Sequence, residues 1–99
     1  MPGSINFGSI MFYVYVLEDL NEKLYVGYSA DLKRRVEEHN QGQNKATRNR
    51  SWRCIYYEAC LDHVDARRRE KYFKTTSGRR ALKTRLQEYF GKRRQPKLH

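Results

Sequence analysis

The stretch FYVYVLEDLNEKLYVGYSADLKRRVEEH, residues 12–39, decides the fold of this chain. Two short runs of aromatic and β-branched residues, 12–17 and 24–28, flank the mostly polar segment 18–23. Residues of these types favour half-buried, pleated strands. The two runs therefore predict an antiparallel β-hairpin with a loop of several residues.

Alternation along the hairpin assigns its tyrosines to one face. If Tyr15 and Tyr25 lie opposite each other, Tyr13 and Gly27 share their face. That face carries hydroxyl groups, and at Gly27 it offers bare backbone.

An amphipathic helix over residues 32–41 follows the hairpin. At about 100° per residue, Arg35 and His39 lie in or beside the apolar stripe that packs on the sheet, and Arg34 faces water. The two adjacent arginines are therefore not equivalent.

The rest of the chain predicts a loop, a third strand and two more helices. Residues 41–51 are polar and basic without a hydrophobic period, and residues 52–60 are rich in aromatic side chains. Helices are expected from Asp62 or Asp65 to about Lys74, and from a cap at Ser77 to Phe90, before a glycine. The predicted fold class is α+β: a three-stranded antiparallel sheet flanked by three helices, in the order β-β-α-β-α-α.

The third strand carries both cysteines. Strict alternation puts Cys54 and Cys60 on one face, about 20 Å apart, and Ile55 with Tyr57 on the other. That separation is too long for a disulfide, so we expect two free thiols. With three scattered histidines, the cysteines form no recognisable zinc spacing.

The charge of the chain points to nucleic acid. Its 99 residues include 21 Lys and Arg against 11 Asp and Glu, a formal charge of +10, and 13 of the 21 cations lie in residues 67–97. Such a concentration suits a phosphate-binding surface, although solvated helix faces would look the same for any single residue. The candidate contacts to nucleic acid are Lys45, Arg48, Arg50, Lys74, Arg79 and Arg80.

Length and patterning predict one domain, residues 12–90, between a flexible tail at 1–11 and a basic tail at 91–99. No run approaches the roughly 18 apolar residues of a membrane span, and the first residues lack the pattern of a signal peptide. We therefore expect a cytoplasmic protein that does not contact a membrane.

Four groups could carry chemistry if the helices cover one face and an edge of the sheet: Tyr15 and Tyr25, Arg35 with His39, and Glu70. Together they suit phosphodiester hydrolysis, which needs a hard divalent cation held by oxygen, a fixed positive charge and a group that takes a proton. A single carboxylate that leaves most of the metal shell to water fits Mg²⁺, with Mn²⁺ as the substitute.

Each of these residues also has a structural explanation. The tyrosines can be ordinary amphipathic strand residues, and Arg35 can lay its stem along the apolar stripe. His39 can be a boundary histidine that hydrogen-bonds to backbone. Glu70 lies inside or beside the apolar stripe of the second helix, where a carboxylate is costly without a cation, and it can pair with Lys74 one turn later.

The joint arrangement resembles the GIY-YIG nuclease family. The chain has YVY at 13–15 and YVG at 25–27, then SADLKRRVEEH at 29–39 and ARRREKYFK at 66–74. The resemblance covers nearly the whole folded unit, residues 12–86, and is closest to the small stand-alone members similar to the N-terminal domain of excinuclease C. It implies the sheet and helices described above.

The resemblance also implies roles for five residues. Tyr15 and Tyr25 place hydroxyls at the scissile phosphate, Arg35 stabilises charge, Glu70 binds one divalent metal, and His39 is an accessory base or phosphate contact. The nucleophile is then a water or a tyrosine hydroxyl.

Three positions depart from the family pattern. Tyr13 stands where the family name has Gly, Tyr28 stands where some repair-type members have Lys, and Leu82 stands near a site Asn of several restriction enzymes. We therefore expect no close mechanistic match to those enzymes.

Three functions follow as hypotheses. The first is a metal-dependent endonuclease acting on DNA rather than RNA, in repair or recombination, with weak sequence specificity unless a protein partner supplies it. The second is a non-catalytic nucleic-acid binding module with the same fold. The third is a small basic ribosome-associated or structural protein.

Overall fold

The tyrosine-rich runs form the sheet that the sequence predicts. The computed structural model describes residues 10–48 and 50–93, in which β1 (Phe12–Asp19), β2 (Leu24–Ser29) and β3 (Trp52–Cys60) make one antiparallel sheet. The strand order is β2-β1-β3, so the first strand is central. The three-stranded antiparallel sheet is confirmed.

The helices follow in the predicted order, β-β-α-β-α-α. They are α1 (Leu32–Asn40), α2 (His63–Phe73), α3 (Thr76–Arg85) and α4 (Gln87–Arg93), and a 3₁₀ turn lies at Lys45–Thr47. Side chains of Asp31, Asp62 and Thr75 accept a hydrogen bond from the first turn of α1, α2 and α3 respectively, which is why each helix begins there.

The last predicted helix is wrong in its details. It is capped by Thr75 rather than Ser77, and it is divided at Leu86, whose φ of −110° and ψ of 28° leave the helical region. The second part, α4, continues through Gly91 instead of ending there. The predicted domain limits, 12 and 90, stay a prediction, and residues 1–9 and 94–99 of the two predicted tails lie outside the described residues.

The helices cover both faces of the sheet, rather than the one face and an edge that the site hypothesis took as its condition. One face carries the valine-face core, in which side chains from β1, β2, α2 and α3 are buried together: Val14, Val16, Val26, Ala66, Phe73 and Leu82. The other face carries the tyrosine-face core, Tyr15, Leu17 and Trp52, against which Leu32 and Val36 of α1 pack. The central strand is therefore buried on both sides, with alternate residues in different cores.

A β-bulge in β3 overturns the predicted alternation of that strand. Val16 pairs with Tyr56 but Leu17 pairs with Cys54, so Ile55 is an extra residue. Ile55 and Tyr56 both pack on the valine-face core, and Cys54 packs on the tyrosine-face core. Cys60 packs on the valine-face core, so the cysteines lie on opposite faces; both are free thiols, as predicted.

A close approach between helices fixes α3 against α2. A Cβ added at Gly78 would lie 1.8 Å from the carbonyl oxygen of Tyr72, so only glycine permits this contact. Among residues 10–48 and 50–93, no helix is long and apolar enough to cross a membrane.

Candidate active site

The hairpin presents its tyrosines on one face, as predicted, but in a different register. Tyr15 pairs with Gly27, and Tyr25 pairs with Leu17, so the two tyrosines are diagonal neighbours rather than opposite partners. The ring of Tyr15 lies across Gly27, where an added Cβ would come within 2.3 Å of its hydroxyl oxygen. The glycine thus leaves room for the tyrosine ring on the strand surface.

His39 lies behind Tyr15 and is completely buried. Its Nε2 is 2.8 Å from the Tyr15 hydroxyl, and its Nδ1 is 2.7 Å from Oγ1 of Thr47. The Thr47 hydroxyl donates to the carbonyl oxygen of Asn44 at 3.4 Å, so its oxygen is available to accept from Nδ1–H. In that tautomer Nε2 accepts the Tyr15 proton.

Burial keeps both members of this pair neutral. Desolvation is the largest cause lowering the pKa of His39 from its usual value of 6.5, and the nearby charge of Arg35 lowers it further while Glu38 opposes the shift. Burial, followed by the interaction with Tyr25, raises the pKa of Tyr15, and Arg35 partly opposes this. A neutral imidazole beside a buried phenol can take the phenolic proton when the phenol itself receives one.

Arg35 and Arg34 differ in exposure, as the helix pattern predicts. The Arg35 side chain is half-buried and its Nη1 donates to Oε1 of Glu38 at 3.3 Å. The Arg34 side chain is 70% exposed and pairs weakly with Asp31 and Glu38. Both residues nevertheless line the same cleft.

Glu70 is held on the buried side of α2 with only 8% of the residue exposed. Two cations meet it: Nη1 of Arg67 donates to Oε1 at 3.2 Å, and Nζ of Lys74 donates to Oε2 at 3.0 Å. The Arg67 guanidinium also lies over the ring of Tyr28, 3.9 Å from its centroid. The expectation that a cation meets this carboxylate is confirmed.

These side chains surround one polar cleft of about 320 Å³ at the β2 edge of the sheet. Tyr15, Tyr25 and Arg35 enter it from the tyrosine face, and Glu70 enters it from α2 on the other side. His39 is not on the cleft wall, but it hydrogen-bonds to Tyr15, which is. The cleft is lined by Tyr15, Tyr25, Gly27, Tyr28, Ser29, Ala30, Asp31, Arg34, Arg35, Asn44, Arg67 and Glu70.

The donor atoms of the cleft fit a mostly hydrated divalent cation. Its lining supplies hard oxygen ligands: the carboxylates of Glu70 and Asp31 and several hydroxyls. Within residues 10–48 and 50–93, no group of three or more His, Cys, Asp or Glu side chains is placed to hold a metal. Oxygen ligands of this kind suit a hard divalent cation that keeps most of its water shell.

The basic residues proposed to contact nucleic acid have different surroundings. Lys45 and Arg80 are exposed, and Arg79 is half-buried. Arg48 donates from Nε to the carbonyl oxygen of Gly42, Arg50 pairs with Asp19, and Lys74 pairs with Glu70. Their role in binding stays a prediction.

Sequence reasoning missed two residues of the site. Thr47, fully buried, lies in a segment without hydrophobic periodicity, and only the structure reveals its contact with His39. Arg67 was one of many cations, but its position three residues before Glu70 is a helical pairing distance and was a usable signal. Leu82, where some restriction enzymes have a site Asn, belongs to the valine-face core, as its apolar side chain indicated.

The family model described as the GIY-YIG catalytic domain matches residues 11–83. The chain belongs to the GIY-YIG family. The match spans the three strands, α1, α2 and most of α3. This is a family of nucleases that act on nucleic acid and generally use divalent metal ions.

Relatives of similar size carry UPF0213 names. The UPF0213 protein in the ldhD 5′ region of Pediococcus acidilactici is 38% identical over 76 residues, 73% of this chain and 78% of the relative. A UPF0213 protein of Haloquadratum walsbyi is 45% identical over 51 residues, 50% of this chain and 57% of the relative. A UPF0213 protein of Streptococcus agalactiae is 44% identical over 64 residues, which are 63% of this chain and 73% of the relative. No solved structure matches the chain.

Proposed function

We propose that this protein is a metal-dependent endonuclease that hydrolyses phosphodiester bonds in DNA. The observation that carries the proposal is the convergence of Tyr15, Tyr25, Arg35 and Glu70 on one cleft, with His39 hydrogen-bonded behind Tyr15. A cleft built for binding alone has no need of a buried phenol and imidazole pair.

Tyr15 and His39 together act as the base. A water in the cleft gives its proton to the Tyr15 oxygen while the Tyr15 proton passes to Nε2 of His39, 2.8 Å away. The water oxygen forms its bond to phosphorus, the bond from phosphorus to the leaving oxygen breaks, and that oxygen takes a proton from solvent. Thr47 holds the imidazole in the tautomer that accepts at Nε2.

Arg35 and Tyr25 bind the reacting phosphate. The guanidinium of Arg35 supplies a fixed positive charge beside the non-bridging oxygens, whose negative charge grows in the transition state. Its half-buried position on the cleft wall limits screening by water. The hydroxyl of Tyr25, on the same wall, donates to a phosphate oxygen.

Glu70 would hold one divalent cation, Mg²⁺ or Mn²⁺, with water and phosphate oxygens completing its shell. When bound, such an ion offsets negative charge on the phosphate and the leaving oxygen. Glu70 is now shared by Arg67 and Lys74, so these cations must release part of the carboxylate to a metal. Both can then contact phosphate.

The substrate follows from charge and size. A net charge of +10 favours a polyanion, and one small domain offers little surface for reading a long base sequence. We propose DNA rather than RNA, a role in repair or recombination, and phosphate contacts from the exposed residues Lys45, Arg48, Arg50 and Arg80 and from the half-buried Arg79. A protein partner would supply further specificity, and the cytoplasm is the proposed location.

A non-catalytic nucleic-acid binding module is the second candidate. It is favoured by the ion pairs that occupy both oxygens of Glu70, because a carboxylate held this way also serves as a purely structural link within α2.

A nicking assay with Glu70→Gln separates the two candidates. Supercoiled plasmid and branched DNA are incubated with Mg²⁺ or Mn²⁺, with an EDTA control. We expect wild type to cut only with metal and Glu70→Gln to cut at an undetectable rate. Because the substitution removes negative charge beside two cations, its binding of uncut DNA should be unchanged or tighter.

Glu58→Gln is the matched control. Glu58 is also a partly buried carboxylate paired with an arginine of α2, Arg69, at 2.9 Å, but it does not line the cleft. It should keep the wild-type cleavage rate. If wild type binds DNA and cuts none with any metal, the protein is a binding module.

A further inference from the structure

Tyr13, which is half-buried, and Tyr57, which is exposed, form an aromatic surface beside the cleft that we name the tyrosine shelf. Their ring centroids are 5.9 Å apart with an interplanar angle of 61°, an edge-to-face pair across β1 and β3. Tyr57 is 55% exposed. Aromatic rings that reach the surface offer faces and edges against which another ring can pack.

The tyrosine shelf is continuous with the candidate active site. It lies in a hollow that is also lined by Ala30 and Asp31, and these two residues line the cleft as well. On its other side the hollow shares Leu32 and Lys33 with an open groove of about 620 Å³ between α1 and β3. A strand whose phosphate occupies the cleft can therefore reach the shelf around the N-terminus of α1.

The lining of the hollow and of the adjoining groove suits a nucleobase better than a phosphate group. Apart from Lys33 and Glu37, whose charges oppose each other, the groove is lined by apolar and aromatic residues. Phosphate contacts are available instead in the cleft, from Arg34 and Arg35. Nucleobases stack on aromatic side chains with little regard to sequence, and in a duplex their faces are already stacked on each other.

We propose that the tyrosine shelf stacks an unpaired nucleobase of the strand whose backbone occupies the cleft, so that the protein selects single-stranded or branched DNA. This inference rests on the proposed function and names its substrate class. Charge favours this occupant over a second copy of the chain, because two copies would each bring a net charge of +10 to the contact.

Fluorescence anisotropy in EDTA tests the shelf without requiring cleavage. The dissociation constants of a single-stranded oligonucleotide and of a duplex of the same length are measured for wild type, Tyr57→Ala and Tyr57→Phe. Loss of one stacked base should weaken single-strand binding of Tyr57→Ala about 5- to 100-fold and leave duplex binding within about twofold. Tyr57→Phe keeps the ring and should bind like wild type.

Tyr72→Ala is the control, since Tyr72 is an exposed tyrosine on α2 that lines neither the cleft nor the shelf hollow. Tyr57→Thr removes the ring while it keeps a residue that favours strands, and should repeat the result of Tyr57→Ala. Circular dichroism confirms that each variant is folded.

Equal weakening of single-strand and duplex binding would overturn the proposal, and so would unchanged binding in both ring-less variants. A change of oligomeric state on sedimentation, with single-strand binding intact, would make the shelf a protein interface and would also overturn it. If wild type does not cut DNA in the nicking assay, the nuclease proposal is wrong but the tyrosine-shelf proposal is not affected. The anisotropy measurement is made in EDTA and measures binding without cleavage.

Discussion

The two faces of β1 differ in what is buried against them. The valine-face core consists of hydrocarbon side chains from four elements and contains only apolar atoms. The tyrosine-face core has Tyr15, Leu17 and Trp52, and it is joined by two fully buried polar residues, His39 and Thr47. One strand thus separates a region held by apolar burial from a region held by directional contacts.

The difference explains where chemistry is possible in so small a domain. Apolar burial is non-directional, and it stabilises the fold without fixing any one atom. On the tyrosine face, Tyr15 meets His39, His39 meets Thr47, and Nε1 of Trp52 donates to the Thr47 carbonyl at 2.8 Å. Buried hydrogen bonds that depend on each other fix positions, and they are costly to leave incomplete.

Leu82→Ala should give the largest change in stability. Leu82 is 1% exposed in the valine-face core, so truncation removes apolar burial and leaves a cavity, at a cost of about 2–5 kcal/mol in the free energy of unfolding. The side chain does not line the cleft, so the folded fraction should cut DNA within about twofold of wild type. Urea denaturation and a nicking assay at low temperature measure the two effects.

The matched control is Leu20→Ala, because Leu20 is 88% exposed and should change the free energy of unfolding by less than about 0.5 kcal/mol. If the folded fraction of Leu82→Ala cut DNA much more slowly than wild type, the valine-face core would affect activity as well as stability, and the two faces would not have separate roles.

Tyr15→Phe should change stability little and cleavage strongly, the reverse of Leu82→Ala. The substitution removes only the hydroxyl, so the ring still packs over Gly27. Unfolding should become easier by about 1–2 kcal/mol, because Nε2 of His39 loses its partner. Cleavage should fall by about 100-fold or more, since the base is lost. Binding of uncut DNA in EDTA should stay near that of wild type.

Tyr56→Phe is the control from the other face. The Tyr56 hydroxyl donates to Glu58 at 2.9 Å, so this variant also loses one tyrosine hydrogen bond, but the residue packs on the valine-face core. It should lose less than about 1 kcal/mol, because the partly exposed Glu58 carboxylate keeps Arg69 and water as partners, and its cleavage should be unchanged. Equal losses of activity in both variants would mean that the two tyrosines affect the protein only through stability.

Short-range patterns were enough to predict the strands and, on the hairpin, which residues share a face. β3 runs from Trp52 to Cys60 as its composition indicated, and Tyr15 and Tyr25 lie on one face. The same periodicity located Glu70 on the buried side of α2. These features depend on the repeat of the backbone alone, which the order of apolar and polar residues reveals.

Long-range contacts set the features that the sequence did not reveal. The bulge at Ile55 comes from pairing with a strand about 40 residues earlier, and pairing of this kind leaves no local signature. Tyr15 lies opposite Gly27 rather than opposite Tyr25, because the glycine leaves space for the Tyr15 ring. Thr47 became part of the site because its loop folds back over His39, and no periodicity marks such a loop.

The smallest expected effect is a pH dependence of stability that arises from His39 on the tyrosine face. Burial lowers the pKa of His39 below 6.5, so below pH 6.5 the unfolded chain binds a proton at this residue more readily than the folded one. The contribution of His39 to stability is therefore complete above pH 6.5 and is lost as pH falls through the folded pKa. Midpoints of urea unfolding at a series of pH values from 7.5 to about 5 measure the slope.

A variant that cannot titrate in this range identifies the group responsible. His39→Gln should unfold more easily than wild type at pH 7.5, yet lose less additional stability between there and about pH 5, because its side chain takes up no proton on unfolding. If the His39→Gln slope equalled that of wild type, the imidazole would be as easily protonated in the folded protein as in the unfolded chain, and it could not be the neutral acceptor that the Tyr15 proton requires.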